Sequence, residues 1–213
     1  MREHEAISLP MLSNQEKIDA IAEKFSGIME ILGLDLSDES LRHTPQRVAK
    51  MYVEDVFSGL DPKTFPKISL FEDSSEWKSQ SNMVFVQINF LSFCEHHFVP
   101  MNGTASIGYI PNGKLFGLST ISRIVQFFAK QPQIQERLTS QIADALRSLS
   151  GSEHIAVSLK AQHQCMMIQA AESGRSHVIT QSFHGSFETN FSLRNEFIKL
   201  TSYDTLLSAN SQH

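Results

Sequence analysis

The chain has 213 residues, enough for one substantial domain or two small ones, and 41% are hydrophobic, enough to fill a core. A formal charge of −5 with 19% charged residues argues against a general nucleic-acid or membrane surface, so an anionic substrate would need its cations gathered locally. No apolar run reaches the roughly 18 residues of a membrane span. The Met-Arg-Glu-His-Glu start lacks the basic-then-apolar pattern of a secretory signal, so a cytoplasmic location is expected.

Residues 1–12 show no periodicity and read as a flexible N-terminal tail. Ser13 and Glu16 form a capping-box signature, followed by Ile18, Ile21, Ala22, Phe25, Ile28 and Leu32 at helical spacing, with Gly33 as the stop. A second helix is expected from Thr44, with Pro45 at its first position, to Gly59. Together these make a helical region over 13–60, resembling a hairpin of helices. Residues 61–81 are aperiodic and read as a connection.

From 82 to 200 lies the main domain. Val84, Val86, Ile88 and Phe90 alternate as in a strand running toward Cys94, and Gly103 to Ile110 is the expected partner, ending at Pro111-Asn112-Gly113. Ser119 is expected to cap a short helix bearing Ile121, Ile124, Val125 and Phe128, and Pro132 to open another bearing Ile134, Leu138, Ile142, Ala145 and Leu149. Ile155, Val157, Leu159 and Ala161 alternate in a strand whose parity continues through His163 and Cys165. A further strand is expected over 176–187 and a helix over Ser192 to Leu200, leaving 201–213 as a C-terminal tail. Helices and strands do not alternate regularly, so the expected class is α+β with antiparallel pairing.

The two cysteines, Cys94 and Cys165, each stand among histidines: Cys94-Glu95-His96-His97 and His163-Gln164-Cys165. Two buried structural thiols are one reading, and a disulfide is arithmetically possible but poorly suited to the cytosol. Zinc accepts thiolate and imidazole in a tetrahedron, and three protein ligands leave one place for water, the catalytic count. Two Cys and one His would supply that count, with the remaining histidines free to move protons. Spacing alone does not say whether His96, His97 or His163 is the ligand. His43, His154, His177 and His184 lie apart and read as surface or packing residues.

The stretch Cys94-Glu95-His96-His97-Phe98-Val99-Pro100, the runs Tyr109-Ile110-Pro111 and Gly117-Leu118-Ser119, and Gln133 to Thr139 with Gln141-Ile142-Ala143 together resemble GTP cyclohydrolase I. So do Thr44 to Tyr52 and His163-Gln164-Cys165-Met166, and the likeness runs in order over about residues 15 to 200. The resemblance implies a tunnelling fold, with antiparallel sheets joined across subunits into a homodecamer whose active sites lie at subunit interfaces. It implies zinc on Cys94, His97 and Cys165, with His96 and His163 catalytic. It gives Gln135 and Glu136 to the guanine base, Ser119 to the ribose, and Arg47 and Arg123 to the triphosphate. The implied reaction hydrolyses GTP to 7,8-dihydroneopterin triphosphate and formate, as a first step toward folates and pterins. A water activated at zinc attacks C8 while His163 protonates the purine ring and His96 assists.

Two positions depart from the family pattern. Thr120 stands where the family has lysine, and Gln169-Ala170 where it has arginine followed by glycine. A hydrogen bond to a charged group contributes roughly 1.5–3 kcal/mol, so two lost cations could weaken triphosphate binding about a hundredfold or more unless Arg175 or Lys50 compensates. The departures open a second reading, a specialised paralog acting on a purine or pterin with altered phosphate recognition. A third is a non-catalytic zinc-binding member of the family.

Overall fold

A computed structural model describes residues 12–72, 83–169 and 176–202; the expectations for the N-terminal tail to residue 11, for the connection beyond residue 72, for Ala170 and Arg175 and for the tail beyond 202 fall outside them. The chain forms two compact units, Met1–Ser58 and Gly59–His213. In the first, α1 (Asn14–Ile31) starts at the anticipated capping box: Ser13 Oγ accepts from the Glu16 backbone at 3.3 Å, and the Glu16 carboxylate accepts from Ser13 N at 2.7 Å. Gly33 follows its end at φ +82°, a left-handed backbone that favours glycine. The second helix, α2 (Thr44–Lys50), carries Pro45 in its first turn and widens into a π-helical segment over Met51–Val56. Ile18, Ala22 and Ala49 bury the seam between the two helices.

The second unit is built on strands β1 (Leu70–Glu72), β2 (Val84–Cys94), β3 (Pro100–Tyr109), β4 (Lys114–Phe116), β5 (Pro132–Gln133), β6 (Ile155–His163) and β7 (Val178–Phe183). Five form one sheet in the order β5-β2-β3-β6-β7, antiparallel except for the short parallel bridge of β5 to β2, and β1 pairs with β4. Helices α3 (Leu118–Ala129) and α4 (Gln135–Ser150) supply the cover for one face. There Ile88, Phe90, Ile107, Val157 and Leu159 meet Ile121, Ile124, Leu138, Ile142 and Leu146. Burying each such side chain stabilises by about 1.5–3 kcal/mol. The alternation expected along β2 and β6 is therefore the alternation of this buried face. Short helix α5 (Gln164–Gln169) follows β6, and α6 (Ser186–Thr189) and α7 (Phe191–Thr201) end the described chain. Phe187, Leu193 and Phe197 form a second, smaller core against Ile110 and Ala156, on residues of opposite parity.

Four local expectations change. Ser119 does not cap α3: the N-cap is Gly117 and Ser119 lies inside the first turn. Pro132 does not open a helix but sits on an edge strand, where its missing N–H costs no ladder bond, and α4 begins at Gln135. The stretch read as an aperiodic connection contains β1, too short to show a period. The strand parity does not reach Cys165, because β6 ends at His163 and the chain turns into α5.

On β3 beside β6, a Cβ added at Gly103 would lie 2.1 Å from the Lys160 carbonyl oxygen. Gly103→Ala is expected to destabilise the second unit by roughly 1–3 kcal/mol, the usual cost of overpacking, read from denaturant unfolding.

Candidate metal centre and active site

The sheet register collects the chemistry at one edge. Met101 on β3 lies opposite Ser92 on β2 and opposite His163 on β6, so the last residues of β2 and β6 flank the start of β3. Beyond Cys94 the chain turns tightly through Glu95–His97. Cys94 N donates to Val99 O at 2.9 Å and Phe98 N to Cys94 O at 2.8 Å. Phe98 takes φ +52°, a backbone that bulky residues rarely adopt and that these two bonds hold. Glu95 N also donates to Gln133 O at 3.0 Å, which ties the turn to β5.

This turn brings Cys94 and His97 to Cys165 in the first turn of α5. Their three donor atoms lie within 4.8 Å of one another, with both cysteines buried and His97 exposed. Tetrahedral zinc with sulfur at about 2.3 Å and nitrogen at about 2.0–2.1 Å spaces its donors roughly 3.5–3.8 Å apart. Cys94 Sγ and His97 Nδ1 are 3.9 Å apart, close to that spacing. The cluster can thus hold a metal, and its two thiols and one imidazole are a zinc-type set with one position open. Burial pushes the Cys165 thiol up, and Cys94 beside it pushes in the same direction. Such a pair of thiols is stabilised as thiolates by a cation, and metal binding releases their protons.

His96 Nδ1 also lies 3.9 Å from Cys94 Sγ, yet His96 is not among the residues that converge on Cys165. His163 faces the helices, as its parity with Ala161 requires, and its Nε2 lies 2.8 Å from Gln135 Oε1. Burial lowers the proton affinity of His163 below that of an ordinary histidine, while the neighbouring Glu136 carboxylate pulls the other way. Gln135 is only 2% exposed, whereas Glu136, next along α4, is exposed.

A second group stands at the start of α3. Ser119 is exposed, and the Arg123 guanidinium folds back along the helix, donating to Ser119 O at 3.2 Å and to Thr120 Oγ1 at 3.3 Å. Thr120 is fully buried and its Oγ1 accepts from Ser69 N at 3.4 Å. Arg47 is exposed on α2 of the N-terminal unit. Of the outlying histidines, His154 accepts from Ser186 N at 3.1 Å and His184 Nε2 meets Ser182 Oγ at 2.9 Å, both packing roles.

Sequence reasoning missed Arg137 and the pair Thr139–Thr180. Arg137 pairs with Glu95 beside the first cysteine, and also donates to Pro132 O at 2.8 Å and to Gln133 Oε1 at 3.1 Å. Thr139 and Thr180 contact each other at 2.6 Å behind Gln135. The available signal was Gln135 and Thr139 at i, i+4 in line with the apolar stripe of α4, polar groups on a buried face that need partners.

Residues 21–202 match the protein family described as GTP cyclohydrolase I. The chain is 46% identical over 200 residues to GTP cyclohydrolase 1 of Aeromonas salmonicida (strain A449), covering 92% of this chain and 91% of that protein. It is also 46% identical over 188 residues to GTP cyclohydrolase 1 of Tolumonas auensis, covering 88% and 86% respectively. Among solved structures, an archaeosine synthase QueF-Like in the apo form aligns with a TM-score of 0.40 at 17% identity, covering 49% of this chain and 96% of that one, too slight a likeness to argue from.

Arg137 holds the turn that carries Cys94 and His97 through three acceptors on Glu95, Pro132 and Gln133. Arg137→Met is expected to weaken metal retention roughly 10–100-fold, as loss of a group that orients metal ligands does, measured by competition with a chromophoric chelator.

Proposed function

The chain belongs to the GTP cyclohydrolase I family, and on that premise we propose that it is a zinc-dependent GTP cyclohydrolase I that hydrolyses GTP to 7,8-dihydroneopterin triphosphate and formate. The observation that carries this reading is the convergence of Cys94, His97 and Cys165 from just beyond the ends of β2 and β6, with His96 and His163 each two residues from a cysteine. Zinc on those three donors supplies a Lewis acid that makes water nucleophilic near neutral pH. His163, with its lowered proton affinity, is suited to pass a proton to the purine ring and regain it. His96, 3.9 Å from Cys94 Sγ, would assist the companion transfer as the imidazole ring opens and C8 leaves as formate. The exposed carboxylate of Glu136 can accept two hydrogen bonds from the guanine edge. Ser119 would meet the ribose, and Arg47 and Arg123 the phosphates. In this reading the protein works in the cytoplasm as a homodecamer with sites at subunit interfaces; among the described residues no helix is long and apolar enough to cross a membrane.

The burial of Thr120 favours a second reading, a paralog with altered phosphate recognition. This position carries no charge, and its hydroxyl is engaged by Ser69 N and by Arg123. Arg123 is thereby drawn along its own helix. The histidines beside the donor cluster speak against a third, non-catalytic reading, since a purely structural metal has no use for them.

Zinc-loaded protein incubated with GTP, GMP and guanosine decides between the first two, with formate and pterin fluorescence as readouts. Turnover of GTP in preference to the others is expected; preference for GMP or guanosine would favour the paralog, and silence on all three would sink both. His163→Ala is expected to abolish turnover with zinc content unchanged, and loss of zinc would make His163 a ligand instead. Thr120→Lys is expected to lower the unfolding midpoint rather than restore a phosphate contact, because burying an ammonium costs several kcal/mol. An unchanged midpoint with a lower KM for GTP would show that the new cation reaches the substrate.

A further inference from the structure

We propose that Gln135 is a positioning residue that holds His163 with a proton on Nε2, leaving Nδ1 as the nitrogen that exchanges protons with the substrate. The inference rests on the cyclohydrolase reading for its kinetic consequence, though not for its structural content.

The hydrogen-bond directions follow from groups that can act in one way only. Gln135 Nε2 lies 3.1 Å from the Leu159 carbonyl oxygen and 3.0 Å from the Val178 carbonyl oxygen. Both oxygens are acceptors alone, so the amide atom facing them must be the NH₂ group. The flipped amide would set its oxygen against two carbonyl oxygens in a site from which water is excluded, Gln135 being 2% exposed. The remaining amide atom, Oε1, therefore faces His163 Nε2 at 2.8 Å, and a carbonyl-type oxygen accepts only. Nε2 must then carry the hydrogen, and in the neutral ring Nδ1 holds the lone pair.

A second chain of bonds fixes the same amide independently. Thr139 Oγ1 donates to the Gln135 main-chain carbonyl at 2.8 Å. With its hydrogen spent there, Thr139 accepts from Thr180 at 2.6 Å. Thr180, its own hydrogen spent in turn, accepts from Gln135 Nε2 at 3.1 Å. Two amide hydrogens serve three acceptors, so one is shared, and every donor in the group is used. With both amide hydrogens committed to these acceptors, Gln135 has no donor left for the base.

The direct test is the protonation pattern of His163 in zinc-loaded protein, by ¹⁵N NMR of histidine-labelled enzyme or by neutron diffraction, with the ring neutral. Hydrogen on Nε2 is expected; hydrogen on Nδ1 with Nε2 bare would overturn the proposal. This readout needs no turnover, so it stands or falls separately from the assigned reaction. For the kinetic consequence, Gln135→Leu is expected to lower kcat roughly 10–100-fold, the loss of one hydrogen bond to a group that becomes charged, with KM for GTP and zinc content unchanged. A raised KM with kcat retained would place Gln135 on the base and overturn the positioning role.

Discussion

The register of β3 between β2 and β6 is the constraint on which the rest of the site depends. Met101 faces Ser92 on one side and His163 on the other, so two segments remote in sequence end beside each other. A slip of one residue on either side would exchange the buried and exposed faces of that strand and carry His163 away from α4. The apolar row on the helix-covered face prevents the slip, since it would move Val157 and Leu159 off their contacts with the helices. Packing energy gained across the whole sheet thus sets the position of a few polar atoms at its edge. The cost of the left-handed backbone at Phe98 is offset within the same frame.

Around that edge the polar groups divide into those that hold and those that act. Arg137, Gln133 and Glu95 fasten the turn bearing Cys94 and His97 to the start of α4. Arg137 and Glu95 are both partly exposed, and as an isolated surface pair they would contribute little. Their value is geometric, because the same guanidinium also engages a main-chain carbonyl and a side-chain amide. Gln135, Thr139 and Thr180 do the corresponding work for the other strand end. Both supports come from the first turns of α4, so the two halves of the site share one rigid element, which suits chemistry that needs donors and proton carriers kept in fixed relation.

Much of this was legible in the sequence, for physical reasons that differ by element. The parity of Val84, Val86, Ile88 and Phe90, and of Ile155, Val157, Leu159 and Ala161, reports a face buried under helices, and burial is what periodicity records. The capping box at Ser13 is a local interaction and was equally plain. What failed depended on tertiary context: Ser119 is a good cap by type, but the turn is made at Gly117, and Pro132 is recruited by the edge of β2. Extending the strand parity to Cys165 failed because the chain leaves β6 after His163, and two residues in a helix and a strand share no period. Cys94, His97 and Cys165 could be named as a donor set by type and count, but spacing left the three nearby histidines interchangeable, and the folded geometry separates His97 from His96 and His163.

The start of α3 shows why a departure from a family pattern cannot be read as a charge count alone. Thr120 carries no charge, but it provides a short side chain that packs completely and links the segment before β1 to α3 through Ser69. Ser69 O in turn accepts from Gly117 N at 3.1 Å, next to the start of α3. The same hydroxyl accepts from Arg123, so this position also bears on where a neighbouring charge rests. A lysine there would meet a closed site with the Arg123 guanidinium beside it, and would disturb the packing before it met any ligand. The position is part of the scaffold, whereas Arg123 is exposed and its guanidinium can leave Thr120 without opening the core.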